Sequence, residues 1–189
     1  MIINAAEAEH DIEHILKIFD IGGQNRYKFL IESKEYSMIK GANLVINVIN
    51  GKNYIESLKY LNSIQSIKEN YNNLHVATRY DLMEPEDFKE IDTLNKFIDF
   101  PVFYVSNKDG TNIDKLLNAI ISVVSAPGNY MPRNADNTLR ESKIIFTGEG
   151  GVGKTSLFVR LKENRFLENA KLTIGQSINA FRVYYKQIF

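Results

Sequence analysis

The chain contains no cysteine. Disulfides and thiolate chemistry are therefore excluded, and no thiol is present to carry a prenyl or palmitoyl group. Net charge is also missing: 23 Lys and Arg balance 23 Asp and Glu. Bulk charge gives no argument for a nucleic-acid or membrane surface, so no nucleic-acid partner is expected. No apolar run approaches the roughly 20 residues that span a bilayer. Met1-Ile2-Ile3-Asn4 has neither the basic stretch nor the apolar core of a signal peptide. Only three histidines occur. His10 and His14 are four apart, but no third ligand is near in sequence, so no metal spacing forms. They read as solvent-facing or strand residues. The expectation is a soluble, cytoplasmic protein without a lipid anchor.

What is present suits a globular protein. The chain has 189 residues and is 44% apolar, enough for one domain with a sizeable core or barely two very small ones. Strand-like runs alternate with helical patterns. Residues 14–19 read as a strand ending at Asp20, and 42–50 as a buried strand rich in Val and Ile. Residues 54–67 carry Ile55, Leu58, Leu61, Ile64 and Ile67 on one helix face. Strands are expected at 74–78 and 101–105. Helices are expected at 85–97, with Pro85 in the first turn, and at 113–124. Residues 125–137 are rich in breakers and small polar groups and read as a linker. A strand at 143–147, a helix from Lys154 to about Asn164 and a strand at 178–188 follow. Alternation of this density implies an α/β fold with a mostly parallel sheet.

The most specific signal is G-E-G-G-V-G-K-T at 148–155, a G-x-x-x-x-G-K-T phosphate loop. Gly148, Gly150, Gly151 and Gly153 let the backbone turn tightly and aim its N–H groups inward, with Glu149 and Val152 between them. The helix that opens at Lys154, Thr155 and Ser156 offers further N–H groups to phosphate. Lys154 is placed to reach the β- and γ-phosphates, and Thr155 to offer its hydroxyl to Mg²⁺. The motif indicates a nucleoside triphosphate without naming the base. A phosphate loop normally opens its domain, yet only 34 residues follow this one. The carboxylate that should accompany it must lie upstream. Asp20, at the end of a strand-like run, is a candidate outer metal ligand. Gly22 and Gly23 would admit the terminal phosphate, and Gln24 would orient a water. Taken alone, this string is also a turn cap followed by a flexible turn.

In two blocks of exchanged order, the sequence resembles the Ras-like small GTPases, Rab-type members in particular. Gly148 to Thr155 matches the family phosphate loop. Phe166 falls at the spacing of the aromatic that packs on guanine, and Thr173-Ile174-Gly175 matches the T-I-G of the first switch. Asp20-Ile21-Gly22-Gly23-Gln24 matches D-x-x-G-Q, Thr78-Arg79-Tyr80-Asp81-Leu82 takes the N-K-x-D-L place, and Ser106-Asn107-Lys108 takes that of S-A-K. The resemblance implies GTP or GDP with Mg²⁺ held by Thr155, Thr173 and Asp20. It implies catalysis by Gln24, Lys154 and Gly23, and contact of the base with Phe166, Asp81 and the residues around Thr78 and Ser106. It also implies effector and regulatory proteins at the switch regions.

Several of these residues keep a second reading. Phe166 alone suits a core or helix end, Thr173 a strand start, Asp81 a cap before the helix at Pro85, and 106–110 a turn. Departures from the family pattern are informative too. Thr78 cannot reproduce the paired donor and acceptor of an Asn side chain. Arg79 brings a planar head that could stack on a ring. Asn107 stands where the family has Ala, at a position read chiefly through its backbone. The aromatic that closes the first switch would fall at Ala170. Gly150 leaves room for hydrolysis, and Arg26 is a candidate in-chain arginine.

A circular permutation between the second and third strands of the family fold accounts best for the order. The domain would run over 1–189, with 1–126 carrying switch II to the last helix, 127–142 a linker, and 143–189 the phosphate loop, switch I and second strand. Its last strand would pair antiparallel with the strand ending at Asp20. Two half-domains of a tandem parent, or a domain-swapped dimer, also explain it. Three activities remain open: a GTPase, a non-hydrolytic nucleotide-binding interaction module, and an adenine-nucleotide P-loop enzyme.

Overall fold

A computed structural model describes residues 9–24, 38–54, 57, 72–95, 102–168 and 173–188. The strands are β1 (Glu9–Ile21), β2 (Leu44–Asn50), β3 (Asn72–Thr78), β4 (Val102–Tyr104), β5 (Met131–Pro132), β6 (Leu139–Thr147) and β7 (Gln176–Ile188). The helices are α1 (Pro85–Asn95), α2 (Ile113–Ser125) and α3 (Lys154–Glu163), with a 3-10 turn at Tyr80–Leu82. The expected helix at 54–67 lies largely outside the described residues, as do Arg26 and Ala170.

The strands form one sheet in the order β4-β3-β2-β6-β1-β7, with β5 paired to β6. The β1–β6, β6–β2, β2–β3 and β3–β4 pairs are parallel, while β1–β7 is antiparallel. β6, whose C-terminal end leads into the phosphate loop, therefore sits in the middle of the sheet. The antiparallel β1–β7 ladder runs from Glu9↔Ile188 to Ile21↔Gln176, so both outer chain segments are held by sheet hydrogen bonds.

Period-two alternation builds the core. On β1, Ile12, His14, Leu16, Ile18 and Asp20 are buried on one face, between half-buried neighbours. Leu16 and Ile18 join Ile46, Val48, Val76, Ile144 and Phe146 beneath Leu116, Ile120 and Val124 of α2 and Leu157 and Leu161 of α3. The opposite face packs Ile21, Ile39, Val45 and Ile145 in one group, and Ile49 and Ala77 under Ile91 of α1 in another. Helices cover both faces, as a parallel sheet requires.

The largest departures from the sequence expectation are at the starts of β1 and β6 and in the linker. β1 begins at Glu9 because the polar stretch before His14 is a ladder partner of β7. β6 begins at Leu139, and the linker is not structureless: Met131 and Pro132 pair antiparallel with Glu141 and Arg140. Polar residues are stable there because their partners are close. Arg133 bonds Glu141 at 2.5 Å, and Arg140 stacks 4.3 Å over the Tyr130 ring. Of the two readings for the histidines, solvent-facing or strand, the strand reading holds for His14 and His75, which are buried. His14 bonds Tyr185 Oη at 3.0 Å and Ser142 Oγ at 2.8 Å. Burial, with Arg140 nearby, lowers its pKa to about 4. Burial alone lowers that of His75 to about 4. Among the described residues, no helix is long and apolar enough to cross a membrane.

Candidate functional site at the strand ends

Parallel strands deliver their C-terminal ends to one edge of the sheet, where α/β proteins place ligands. β1 ends beside Asp20, β3 at Thr78, β6 at Thr147 just before the phosphate loop, and β4 just before Ser106. A cleft of about 380 Å³ opens along this edge, a size in the range of small-ligand sites. It is lined by Gly23 and Gln24, by Thr78, Arg79, Asp81 and Leu82, and by Asn107 and Lys108. Gly150 to Ser156, Phe166 to Glu168 and Thr173 complete the wall. Residues from both sequence blocks thus meet in one chain.

The phosphate side is built on backbone geometry that favours glycine. Gly148, Gly151 and Gly153 have positive φ. A Cβ on Gly148 would meet the Val48 carbonyl oxygen at 2.1 Å, so any side chain there would force the loop off β2. α3 begins at Lys154 directly after Gly153, which points its free N–H groups into the cleft. Lys154 is almost fully buried and donates to the carbonyls of Gly148 and Glu149 at 2.8 and 2.7 Å. Burial lowers its pKa to about 8, against the raising influence of Asp20 and Glu149. Gly23 lies against the loop: a Cβ there would come within 2.1 Å of the Glu149 carbonyl carbon. Gln24 follows, half-buried, with its Cγ 3.9 Å from a Cβ built on Gly150.

Three oxygens converge beside Lys154. Thr155 donates to Asp20 Oδ2 at 2.5 Å and lies 2.8 Å from the Thr173 hydroxyl. Thr173 donates to the same Asp20 oxygen at 3.2 Å. The Gly22 N–H bonds the Gly175 carbonyl at 2.8 Å, which holds the start of β7 beside the end of β1. Asp20 is 1% exposed, and its Oδ1 has no hydrogen-bond partner among the described residues. Burial raises its pKa, against the lowering effect of Thr155, Lys154 and Thr173. A buried carboxylate with one unmatched oxygen next to two hydroxyls fits a hard cation that takes few protein ligands, the behaviour of Mg²⁺.

The base side is held differently. Thr78 donates to the Val152 carbonyl at 2.6 Å and to that of Ile49 at 3.2 Å. Arg79, in the left-handed region with φ 64°, donates to the Gly151 carbonyl at 2.9 Å. Asp81 accepts from the buried Ser106 hydroxyl at 2.8 Å. Leu82 and Phe166 keep 53% and 39% exposure at the cleft. They present apolar surface to the cleft, as walls for a flat ring would. Asn107 is 7% exposed and uses its side chain, donating to the Gly153 carbonyl at 3.2 Å. This side-chain contact is one that the sequence reading, which looked chiefly to the backbone at this position, did not anticipate.

One participant escaped the sequence reading. Arg160 on α3 donates to the Asn107 carbonyl at 2.8 Å and to that of Lys108 at 2.5 Å, fixing the 106–108 loop from beneath. Nothing in its local pattern sets it apart from an ordinary helix arginine; only the fold brings the two loops together.

The family model described as Ras family matches this chain over residues 3–126 and 143–188, in two stretches separated by 127–142. The Ras-related protein Rab-5B of Plasmodium falciparum (isolate 3D7) is 38% identical over 55 residues, 29% of this chain. That match spans 26% of the relative's own length. The family match extends over most of the chain, and the chain belongs to the Ras family.

Proposed function

We propose that this protein is a guanine-nucleotide switch that binds GTP or GDP with Mg²⁺ and slowly hydrolyses GTP to GDP and phosphate. We also propose that its domain is circularly permuted between the second and third strands of the family fold, with 127–142 joining the old ends. The observation that carries both is the hydrogen bond from Thr155 to Asp20, residues 135 positions apart in one chain. Both sequence blocks contribute to one cleft without a second copy, which supports a monomer over a swapped dimer. Residues 127–142, between the two matched stretches, include a short strand paired to β6. A joining segment of this length adds little loop-closure entropy.

In this reading Lys154 and the loop N–H groups meet the charge on the β- and γ-phosphoryl oxygens. Thr155 and Thr173 would hold Mg²⁺, with Asp20 behind a water. Bound magnesium would neutralise phosphate charge and orient the nucleotide. Gln24 positions the attacking water, and the Gly23 backbone senses the terminal phosphate. Asp81 receives the donor edge of guanine, and Phe166 and Leu82 cover its faces. Loss of the terminal phosphate would release Thr173 and Gly23 and change the surfaces around 165–176 and 21–40, where effectors and regulators would bind. Turnover should be slow without a partner arginine.

A non-hydrolytic binding module is the second reading. It is favoured by the engagement of Thr78 and Arg79 with carbonyls of the phosphate loop, which uses donors that would otherwise be offered to a base. A single-turnover assay separates the two. Phosphate release that Gln24→Ala abolishes supports the GTPase. Binding of GTP without release supports the module. Equal competition by ATP and GTP would remove the guanine assignment.

A further inference from the structure

Three neighbouring carbonyls of the phosphate loop are each taken by a side chain from the base-side loops. Arg79 holds Gly151, Thr78 holds Val152 and Asn107 holds Gly153. The three donors differ in what they have left to offer. The Thr78 hydroxyl has one proton, shared between Val152 and Ile49. Arg79 has no acceptor. Asn107 has two N–H bonds and a carbonyl oxygen, and the Gly153 carbonyl uses one N–H. The orientation of its amide is set by that partner, since a carbonyl can only accept. Its Oδ1 is buried and has no hydrogen-bond partner among the described residues, although Asn107 lines the cleft. A buried amide oxygen without a partner is costly, and a ligand group is one way to meet it.

We propose that Asn107 recognises the purine through its side chain, because its amide, anchored on Gly153, keeps an N–H and a carbonyl oxygen unused, where the Thr78 hydroxyl has no proton to spare. This rests on the nucleotide-binding reading above and adds a specificity-determining residue to it. The amide also ties base to phosphates, since the group that meets the purine holds the carbonyl directly before Lys154. Removing it leaves the ring atoms unmatched, the situation in which hydrogen-bonding sites discriminate most strongly, while the Gly153 carbonyl keeps the Leu157 N–H at 2.8 Å.

The test measures GDP and ADP dissociation constants for the wild type, Asn107→Ala, Asn107→Ser, Thr78→Asn and the Thr78→Asn/Asn107→Ala double variant. The melting temperature of each nucleotide-free protein is recorded alongside. GDP affinity should fall about tenfold or more in Asn107→Ala, with partial retention in Asn107→Ser. The nucleotide-free melting temperature should stay near the wild-type value. The double variant should recover most of the loss, because an Asn at 78 restores a spare amide beside the same carbonyls. Wild-type GDP affinity in Asn107→Ala overturns the inference. So does a loss that tracks a drop in melting temperature and is not recovered by Thr78→Asn. A wild type that binds no guanine nucleotide overturns the parent reading and this one with it, whereas tight wild-type binding with an indifferent Asn107 overturns this one alone.

Discussion

The two halves of the cleft are stabilised in opposite ways. On the phosphate side, charged and hydroxyl groups are crowded and only partly matched. Lys154 is buried with a lowered pKa, and Asp20 is buried with a raised one and an unmatched oxygen. On the base side, Thr78, Arg79 and Asp81 each have a protein partner. A region of mismatched buried charge is arranged for a ligand that brings the missing charges. A region already satisfied is rigid, and selects by shape and by whichever atoms remain. The phosphate side should therefore dominate affinity, and the base side should tune it.

The largest effect should come from Lys154→Ala. Removing the buried ammonium should weaken GTP and GDP binding by about a hundredfold or more in equilibrium titration. Loss below tenfold would mean that the loop backbone alone carries the phosphates. Next is Asp20→Asn. With the raised pKa of Asp20, burial of its charge opposes folding at neutral pH. The nucleotide-free variant should melt higher than wild type, while the magnesium dependence of GTP binding falls. A variant that melts lower would show that Asp20 is chiefly a structural acceptor for Thr155 and Thr173. Gly23→Ala comes third. Its Cβ would overlap the Glu149 backbone, so the segment must lift off the loop. Phosphate release should slow at least about tenfold in a single-turnover assay while GDP binding is largely kept. Arg79→Ala is the mildest: an exposed donor to one carbonyl should change GDP affinity only about threefold.

Acid tests the scaffold rather than the cleft. His14 and His75 titrate near 4 when folded, against 6.5 in the unfolded chain. Between those values the unfolded state binds more protons, so stability is present above about pH 6.5 and is lost as pH falls towards 4, on the order of 3 kcal/mol for each histidine. Denaturant midpoints from pH 7 to 4 should drop, and His14→Gln should flatten the slope. For Lys154 the folded value is about 8 and the unfolded value 10.5. The same linkage makes the nucleotide-free fold gain stability between those limits. Phosphate binding, which needs the charged form, should weaken over the same interval.

How much was legible in the sequence follows from the same contrast. Groups whose chemistry is fixed by local spacing were readable: Gly148 to Thr155 as a loop opening a helix, and the buried Val and Ile of β2. Long-range pairing was not. The polar residues from Glu9 to Glu13 look like a loop until β7 lies beside them, and Leu139 to Ser142 until β1, β5 and Tyr185 do. The resemblance supplied Asp20 as a partner of Thr155, and the fold brought the two to 2.5 Å. It gave no sign of the Asn107 side-chain bond to Gly153, which only the fold brings about. Arg160 was invisible because its function is to support two carbonyls 52 and 53 positions away.

The central claim is that one chain, by itself, assembles a complete guanine-nucleotide site from exchanged sequence blocks. Its most direct test is titration of magnesium and labelled GTP against the purified protein, with the mass of the complex measured at the same concentrations. The account predicts one nucleotide per monomer, with binding that weakens when magnesium is removed. Binding confined to a dimer, or no binding of GTP by the folded monomer, would contradict it.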